Sequence, residues 1–594
     1  MDPVVSTSRR NSNISPPNSN PYGIISGTYI TWFDRYKGKI LGEGVYGEVR
    51  KYENIKGNKV ENKIVKIGKL IKYGLDASLL REAAFISKLN HPNVINLLDA
   101  FFTDKYFCII LPEANMDLYK RYRQFPKLTI EEIISISYQI IRGISYLHSQ
   151  DVLHGDLKPY NILLFSDSEN ITKCIRATIA DFGISRPNTC KKIIEKQQVF
   201  SLWYRPPEIL LGGTYVAPGD IWALGCIIYE IVTERFLFPG KIEIDMLYKQ
   251  FTLLGTPTEQ TWPGVSILPL YVPTFPMWKG APVKTGYKDF DSLLSTMLIL
   301  DPSKRDNTIT LMKHPIFDSL KSTINSGCLK APDIVSINCN VSILENVVNV
   351  SNFKDNFYPA SLRHRSTALS TLYKFQKDQL LDDSLISLTI LIFDKVTLEI
   401  YESVFKQKSN IKLSYYLLLL GSCLYIVSAV LNIPINEDNI LIMFGRDLEE
   451  EFININKRIV TILKLDLHIS SPLNLLDVYV PVEIREASIV CLNIISYTSL
   501  SRRYPSEFIA LLAMKIASDY LHKDYKYDKK LENFSFGPTG EELGNEGEER
   551  AEGSEEEAYD IIIKDLKETK IRDFSLLDRG IVSAKDIVNK FNSL

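Results

Sequence analysis

Short runs of alternating apolar and polar residues dominate the chain between residues 36 and about 115. The runs GKILGEGVYGEVRKYE and NKIVKIGKL predict β-strands joined by turns. One segment, LDASLLREAAFISKL, instead has apolar residues at helical spacing, with Asp76 as its predicted N-cap. From about Thr129 to Phe317 the helical period takes over. The pattern predicts an α+β arrangement, in which a small β-rich lobe and a larger helical lobe leave a ligand cleft between them.

The rest of the chain divides by composition. Residues 1–30 are rich in Pro, Ser and Asn, which predicts a disordered tail, and residues 318–355 are predicted to be a linker. Residues 357–522 are helix-patterned and apolar throughout. Residues 541–557 carry nine Glu, which is typical of either an acidic interaction tail or, as we favour, a solvated spacer. Residues 558–594 are predicted to form a C-terminal helical tail.

One apolar segment, residues 413–435, is long enough to cross a bilayer because it has no charged residue over 23 positions. Polar residues are spread through it, and Pro434 comes near its end. A central helix of an all-helical domain is also apolar all round, and this is the interpretation that we favour. No membrane partner is therefore expected.

Charge and cysteine content argue against two further kinds of site, a nucleic-acid-binding surface and a zinc or disulfide site. The net charge of −2 gives no broad basic footprint, so no nucleic-acid partner is expected. The eight cysteines are scattered without a C-x-x-C pair, which favours free thiols in a reducing compartment over a zinc or disulfide site. The prediction is an intracellular protein, either nuclear or cytoplasmic.

The first chemical motif is glycine-rich and lies between two predicted strands. Its backbone could lie against a triphosphate, and its position between strands favours an ATP loop over a dinucleotide fold. The candidate nucleotide-binding residues of this loop are Gly42, Glu43, Gly44, Gly47 and Val49. Lys66 ends the next strand-like run, where a lysine can hold the α- and β-phosphates, and Glu82 in the following helix can orient it.

The second motif runs from His154 to Asn161 and is followed by Asp181-Phe182-Gly183. Asp156 is the candidate base for a substrate hydroxyl, and Lys158 would offset charge on the transferring phosphoryl group. Asn161 and Asp181 are the candidate Mg²⁺ ligands. These residues, in this order after the glycine-rich motif, resemble the eukaryotic protein kinases.

Later motifs narrow the resemblance to the cyclin-dependent kinases. The run LWYRPPEILLG, residues 202–212, is similar to their WYRAPEILLG run, and residues 254–257, LGTP, resemble an insert of their wider group. Residues 76–82, DASLLRE, stand where that family has the PSTAIRE helix, on which a cyclin docks. The resemblance covers about residues 36–317. It implies a bilobal kinase fold, with an antiparallel sheet plus one helix in the first lobe, that uses ATP and Mg²⁺.

The resemblance also implies roles for single residues. Ser201 would support Asp156 and Lys158, Glu208 would pair with Arg305, and Arg205 would favour Pro after the target Ser or Thr. The expected substrates are thus proteins with Ser/Thr-Pro sites. The residues implied around adenine and ribose are Leu111, Pro112, Glu113, Ala114 and Asp117.

Two departures from the family concern its activation loop. In that family an Arg normally binds the phosphate of a phosphorylated activation loop, and Gly155 replaces it here. Lys196 stands at the usual phosphothreonine position. No Ser or Thr lies between Thr189 and Ser201. A phosphate orders a loop through cationic partners. The sequence therefore predicts an activation loop that is ordered without phosphorylation.

A carboxylate could replace the phosphate, and we predict that Glu195 meets Arg81 and Arg186. The alternative is a decayed, inactive kinase. The retained Lys66, Asp156 and the other motif residues argue against it.

The helical region resembles a cyclin box. Its first helices begin at Arg365 and end at Phe393-Asp394-Lys395, where cyclins carry an I-D-R-F-like run. The family's signature Lys and its Glu partner fall at Ala429 and Asn456. We expect covalent tethering to compensate by raising the effective concentration of the domain to about the millimolar range.

This predicts a kinase and its activator on one chain. The alternatives are an unrelated helical bundle that docks other partners, binding of an external cyclin, and a catalytically dead scaffold.

Overall fold

The computed structural model describes both predicted lobes and most of the helical region. The predictions for residues 1–30 and 541–557 lie outside the described residues, as does most of the predicted linker. The described ranges are 38–43, 47–56, 59–70, 75–103, 105–166, 176–188, 200–320, 359–404, 412–444, 449–467, 482–498, 506–521, 561–566 and 582–593, with the single positions 473, 558 and 577.

The first lobe is a five-stranded antiparallel sheet with strand order β1-β2-β3-β5-β4. Its alternating sequence places one face toward the lobe interior, where Val65, Ile67 and Ile110 are buried. The strands are β1 (Lys39–Glu43), β2 (Gly47–Lys56), β3 (Lys59–Lys69), β4 (Asp99–Phe102) and β5 (Tyr106–Pro112).

One helix, α1 (Ala77–Ile86), interrupts the sheet between β3 and β4. It begins at Asp76, whose carboxylate accepts a hydrogen bond from the backbone N–H of Leu79 at 2.7 Å, as the sequence predicts. Every residue from Leu79 to Ile86 is buried, including Arg81 and Glu82. A surface helix of a small lobe would keep one face in water, so α1 is covered on both sides.

The second lobe is mostly helical. Thr129 caps its long helix α3 and forms a capping box with Glu132. Trp222 and Phe251 are buried in the core of the lobe. The helices are α2 (Leu118–Gln124), α3 (Ile130–Ser149), α4 (Pro207–Leu210), α5 (Pro218–Thr233), α6 (Glu243–Leu254), α7 (Lys288–Met297) and α8 (Thr308–Met312). Short strands border the cleft: β6 (Met116–Asp117), β7 (Val152–Leu153), β8 (Ile162–Phe165), β9 (Arg176–Ile179) and β10 (Arg186–Pro187).

The described residues after 358 are helical almost throughout. The helices are α9 (Pro359–Gln379), α10 (Asp383–Val404), α11 (Leu413–Leu431), α12 (Glu437–Phe444), α13 (Glu449–Ile462), α14 (Val482–Ser496), α15 (Ser506–Leu521) and α16 (Ala584–Ser593). In the predicted C-terminal tail, residues 561–566 are also helical.

Helix α11 is the segment that could have been a membrane span. Among the described helices it passes the tests of length and hydropathy for spanning a membrane, yet 78% of its apolar window is buried inside the structure. It packs against α9, α10, α12 and α13, and also against α1 of the first lobe. Its apolar surface is therefore used inside the protein, as predicted, and it supplies the second cover of α1.

Candidate active site

The cleft between the lobes begins with a lysine and a glutamate from different elements. Strand β3 carries Lys66, and α1 carries Glu82 in its second turn. The Lys66 ammonium donates hydrogen bonds to both carboxylate oxygens of Glu82, at 2.6 and 2.8 Å. The structure thus brings the two predicted residues together. In this position of α1, Glu82 orients Lys66 toward the cleft.

The surrounding charges keep Lys66 protonated. Burial alone would lower its pKa, but the carboxylates of Glu82 and Asp181 outweigh burial and hold the pKa above its ordinary value. Burial would likewise raise the pKa of Asp181, but Lys66, His154 and Lys158 hold it below its ordinary value. The cationic Lys66 and the anionic Asp181 therefore lie near each other in the site.

The predicted catalytic base lies in a connected set of hydrogen bonds. Asp156 accepts from the Ser201 hydroxyl at 2.8 Å through one carboxylate oxygen, and from the Lys158 ammonium at 2.5 Å through the other. Lys158 also donates to the Ser201 hydroxyl at 3.1 Å. The structure brings these three residues together. They hold Asp156 in one orientation, which is what proton acceptance from a positioned hydroxyl requires.

Asn161 and Asp181 offer the oxygen atoms that a magnesium ion prefers. The amide nitrogen of Asn161 donates to the backbone carbonyl of Asp156 at 2.8 Å and to its carboxylate at 3.1 Å. That leaves the Asn161 side-chain oxygen available as a ligand. Asp181 has a positive φ of 70° in the turn that follows β9, and its lowered pKa keeps it anionic. This donor set fits Mg²⁺, which would neutralise phosphate charge when bound.

The glycine-rich motif forms the ends of two paired strands. Gly42 pairs with Val49, and Glu43 pairs with Glu48, across β1 and β2. A side chain at Gly47 could not be accommodated, because its Cβ would lie 2.2 Å from the carbonyl oxygen of Ile67. Gly44 lies outside the described residues.

Register connects the glycine-rich motif to Lys66. Val49 of β2 pairs directly with Lys66 of β3. The two strands thus bring the glycine-rich turn and the predicted phosphate-binding lysine to the same part of the sheet.

The residues implied around adenine follow one another at the end of β5. Leu111 is buried and pairs with Ile64, while Pro112 ends the strand opposite Lys63. Ala114 follows the strand and is partly exposed. Glu113 forms an ion pair with Lys51 at 2.8 Å.

The predicted ribose contact also serves a structural purpose. The Asp117 carboxylate caps α2 by accepting from the backbone N–H of Lys120 at 2.7 Å. A bound ribose would therefore share this carboxylate with the helix terminus.

Asp220 is a positioning residue to which sequence reasoning assigned no role. It is fully buried, and its carboxylate accepts from the backbone N–H groups of His154 and Gly155, at 3.0 and 3.1 Å. The Tyr215 hydroxyl also donates to it at 2.6 Å. Asp220 thereby fixes the segment that precedes Asp156. Its place at the start of an apolar helix, in Asp220-Ile221-Trp222, was the available signal.

A second buried carboxylate, that of Glu208, forms an ion pair within the second lobe. Glu208 and Arg305 form a bidentate ion pair with two hydrogen bonds of 2.7 Å. The Arg305 guanidinium also lies 5.0 Å from the centre of the Trp222 ring. The pair implied by the resemblance is therefore present, and it joins the segment after Ser201 to the end of the lobe.

A comparison with protein families agrees with this geometry. The family model described as "Protein kinase domain" matches residues 36–317. Residues 36–317 are a protein kinase domain. Protein kinases transfer a phosphoryl group from ATP to protein, and they use a divalent metal in this reaction. The Lys66–Glu82 pair, the Asp156 cluster and the two oxygen ligands all lie within the matched region.

Proposed function

We propose that this kinase phosphorylates serine or threonine followed by proline, and that its own C-terminal helical region activates it without phosphorylation of the activation loop. The single observation that carries the proposal is the placement of α1. This helix holds Glu82 against Lys66 while its other face packs on α11. The proposal takes the helical region to be a cyclin-like activator in cis.

The preference for serine or threonine rests on the surroundings of Asp156. Lys158 and Ser201 both lie within 3 Å of its carboxylate and are partly buried beside it. A short aliphatic hydroxyl can approach an oxygen that is flanked so closely. A tyrosine places its hydroxyl farther from the backbone, so its chain would have to lie farther from Asp156.

The preference for proline rests on the backbone of Phe200. Phe200 has a left-handed φ of 58°, and its carbonyl accepts a hydrogen bond from Arg205 at 2.9 Å. Arg205 is itself held by Glu243 at 2.6 Å. The carbonyl is thus occupied and not offered to the backbone N–H of the residue after the acceptor. A buried N–H without a partner costs about 1–3 kcal/mol, and proline has none.

Arg81 connects α1 directly to the helical region. Its Nε donates to the backbone carbonyl of Ala429 on α11 at 2.7 Å, and its Nη1 donates to the carbonyl of Gly183, two residues after Asp181. Burial lowers the pKa of Arg81 to about 10, which still leaves it charged at neutral pH. One side chain therefore ties the activator helix, α1 and the metal-binding turn together.

Further contacts surround Arg81 along the same face. The Tyr425 hydroxyl of α11 donates to the carbonyl of Leu75, just before α1, at 2.7 Å. At the other end of α1, Lys88 forms an ion pair with Asp466 at 3.2 Å. The helical region thus holds α1 at both ends, which opposes the outward movement that would separate Glu82 from Lys66.

Independence from loop phosphorylation is supported by where the arginines lie. Arg81 binds two backbone carbonyls, as described above. Arg186 is buried, donates to the backbone carbonyl of Tyr215 and stacks 5.0 Å from the centre of that ring. Gly155 has a left-handed φ of 79°, which favours glycine at this position. The predicted contact with Glu195 lies outside the described residues and stays a prediction.

The cyclin-like interpretation has its own support within the helical region. Arg365 and Asp394, at the two ends of the segment that resembles the first cyclin-box helices, form a buried bidentate pair at 2.6 and 2.7 Å. Ala429, which replaces the family's signature Lys, contacts α1 through its backbone carbonyl instead. Asn456 is fully buried, and neither of its side-chain polar atoms has a partner among the described residues.

Two rival functions make different predictions. An external cyclin would need the face of α1 that α11 already covers, so it would have to displace α11. A non-catalytic scaffold would not require the hydrogen-bonded arrangement of Asp156, Lys158 and Ser201, which orients a base.

The test compares the full chain with two separately produced pieces, residues 1–330 and 350–594, after phosphatase treatment. We expect the full chain to phosphorylate Ser-Pro peptides at least about fivefold faster than matched Ser-Ala peptides. We expect piece 1–330 to be nearly inactive and to regain activity when piece 350–594 is added.

A fully active piece 1–330 would refute activation in cis. Activity that is lost on phosphatase treatment would refute independence from phosphorylation. Equal rates on Ser-Pro and Ser-Ala peptides would refute the preference for proline.

A further inference from the structure

A series of aromatic side chains lies beside the catalytic loop and takes no part in the chemistry described above. We call it the aromatic ridge. It consists of four rings with one arginine set among them, and they come from four separate segments of the second lobe. The members are Tyr160, Tyr119, Arg123, Phe236 and Trp203.

The first part of the ridge is an exposed stack. The rings of Tyr160 and Tyr119 lie 4.2 Å apart between centres, with an angle of 22° between their planes. Tyr160 is nevertheless 52% exposed, so it is one of the more exposed large side chains among the described residues. A ring that is already fixed against a partner offers apolar surface at little further cost in side-chain entropy.

The second part fixes the rest of the ridge. The Arg123 guanidinium lies 5.7 Å from the centre of the Tyr119 ring and 5.2 Å from that of Phe236. Phe236 in turn lies 4.4 Å from Trp203, whose indole N–H donates to the carbonyl of Gly240 at 2.8 Å. Each member is thus held by a neighbour, and the surface is preformed.

Both ends of the ridge adjoin residues that touch the catalytic base. Tyr160 follows Lys158 by two positions, and Trp203 follows Ser201 by two positions. Lys158 and Ser201 both bind the carboxylate of Asp156. A protein segment whose hydroxyl reaches Asp156 would therefore come close to residues that adjoin both ends of the ridge.

The charge of the ridge selects among side chains. Its one charged member is the cation Arg123. The nearby carboxylate of Glu230 is buried below the surface, where it accepts from the hydroxyls of Tyr122 and Tyr204. Asp117 also lies near Tyr160, but its carboxylate is engaged as the N-cap of α2, so a lysine or arginine of a substrate would meet Arg123 without a carboxylate in the ridge itself to bind. An aromatic or aliphatic side chain would instead pack on the ring of Tyr160.

We propose that the aromatic ridge is a substrate-binding subsite that selects an aromatic or aliphatic side chain on the amino-terminal side of the phosphorylated residue. The inference rests on the proposed function, because Phe200 and Arg205 would receive the residue that follows the acceptor. The residues that precede the acceptor then extend away from Phe200 and toward Tyr160.

The test uses the full chain and a positional peptide library around a fixed Ser-Pro, followed by kcat/KM for two peptides. The peptides carry Phe or Arg at the upstream position with the strongest selection. We expect the wild-type chain to favour Phe about three- to tenfold, and Tyr160→Ala to reduce this ratio to below about twofold. Tyr248→Ala is the matched control, because Tyr248 is also exposed and packed on aromatic rings, in α6. It should keep the wild-type ratio.

The outcomes separate this subsite from the function on which it rests. A wild-type chain that phosphorylates peptides without any upstream preference would overturn the subsite and leave the kinase activity standing. An upstream preference that Tyr160→Ala keeps would also overturn it. A wild-type chain that phosphorylates no peptide in the library would refute the proposed function, and the subsite with it.

Discussion

The catalytic centre and the interface between α1 and the C-terminal helices are held together by different kinds of hydrogen bond. At the centre, Asp156 is bound by the side chains of Lys158, Ser201 and Asn161. At the interface, side chains donate to backbone carbonyls: Arg81 to Ala429, Tyr425 to Leu75, and Ser87 to Leu465 at 3.4 Å. The three contacts of the Asp156 carboxylate therefore depend on side-chain identity at both ends, whereas these three hydrogen bonds of the interface depend on identity at one end only.

On the proposed cyclin-like interpretation, this difference would explain why Ala429 can stand where cyclins carry a lysine. A carbonyl oxygen belongs to every residue, so the loss of the signature side chain leaves the acceptor on α11 intact. Arg81 supplies the charge from the kinase side. A bond from a charged donor is typically stronger than one between neutral groups. On that proposal, the contact is retained and its charged donor comes from the kinase side.

The largest expected effect comes from removing the base. Asp156→Asn keeps the size of the side chain and removes its ability to accept a proton. We expect the phosphorylation rate to fall about a hundred- to ten-thousandfold. Mg·ATP binding, measured by calorimetry on the same preparation, should stay near the wild-type value because Lys66 and Asp181 remain. Near wild-type turnover would show that Asp156 is not the catalytic base.

The next largest effect is expected at the interface between α1 and the C-terminal helices. Arg81→Met removes a charged donor from two buried carbonyls. Because a hydrogen bond from a charged group is worth about 1.5–3 kcal/mol, we expect kcat/KM to fall about ten- to a hundredfold. Arg121→Met is the control, since Arg121 is equally buried and donates to the carbonyl of Pro126 at 2.8 Å, away from α1. It should lower thermal stability to a similar degree but leave the turnover of the folded fraction largely intact. Equal losses of turnover in both variants would contradict the connecting role of Arg81.

A smaller effect is expected at the turn that precedes the base. Gly155→Ala places a side chain at a φ of 79° and 3.2 Å from the Tyr215 ring, so the free energy of unfolding should fall by about 1–2 kcal/mol or somewhat more. Gly286→Ala is the control, because Gly286 has a φ of 91° but nothing within 4 Å of the added Cβ. The midpoint of thermal unfolding should fall further for Gly155→Ala. The same midpoint in both variants would mean that packing around Gly155 contributes nothing.

The smallest effect isolates one hydroxyl of the interface. Tyr425→Phe removes only the donor to Leu75, a bond worth about 0.5–1.5 kcal/mol, so we expect activity to fall about two- to tenfold. Tyr373→Phe removes a buried hydroxyl that bonds Ser496 within the helical region, at 2.8 Å, without contact to α1. Steady-state kinetics should show a clear loss for the first variant and little change for the second. A reversed order would place the activating contact elsewhere.

The sequence predicted the parts of the molecule that depend on side-chain chemistry. The cap at Asp76 and the Lys66–Glu82 pair follow from residue type and motif spacing, whereas the place of Ser201 beside Asp156 was implied by the resemblance to protein kinases. The bond from Arg81 to Ala429 could not be predicted, because a backbone acceptor leaves no trace in residue identity. The role of Asp220, which binds two backbone N–H groups of a segment distant in sequence, left only its place at the start of an apolar helix as a signal. The Tyr160–Tyr119 stack required knowing that α2 and the turn at Pro159–Asn161 pack together.

The contact between α1 and α11 has a consequence for how this enzyme can be controlled in a cell. Because both helices belong to one polypeptide, dilution does not separate them, and the local concentration of one at the other is about millimolar. Each molecule is synthesised with a fixed stoichiometry of one catalytic half to one helical half, and both are degraded together. Timed production or destruction of a separate subunit is therefore not a means of regulating this contact. A signal that acts on it has to loosen α11 from α1 within an intact chain, or block the cleft itself.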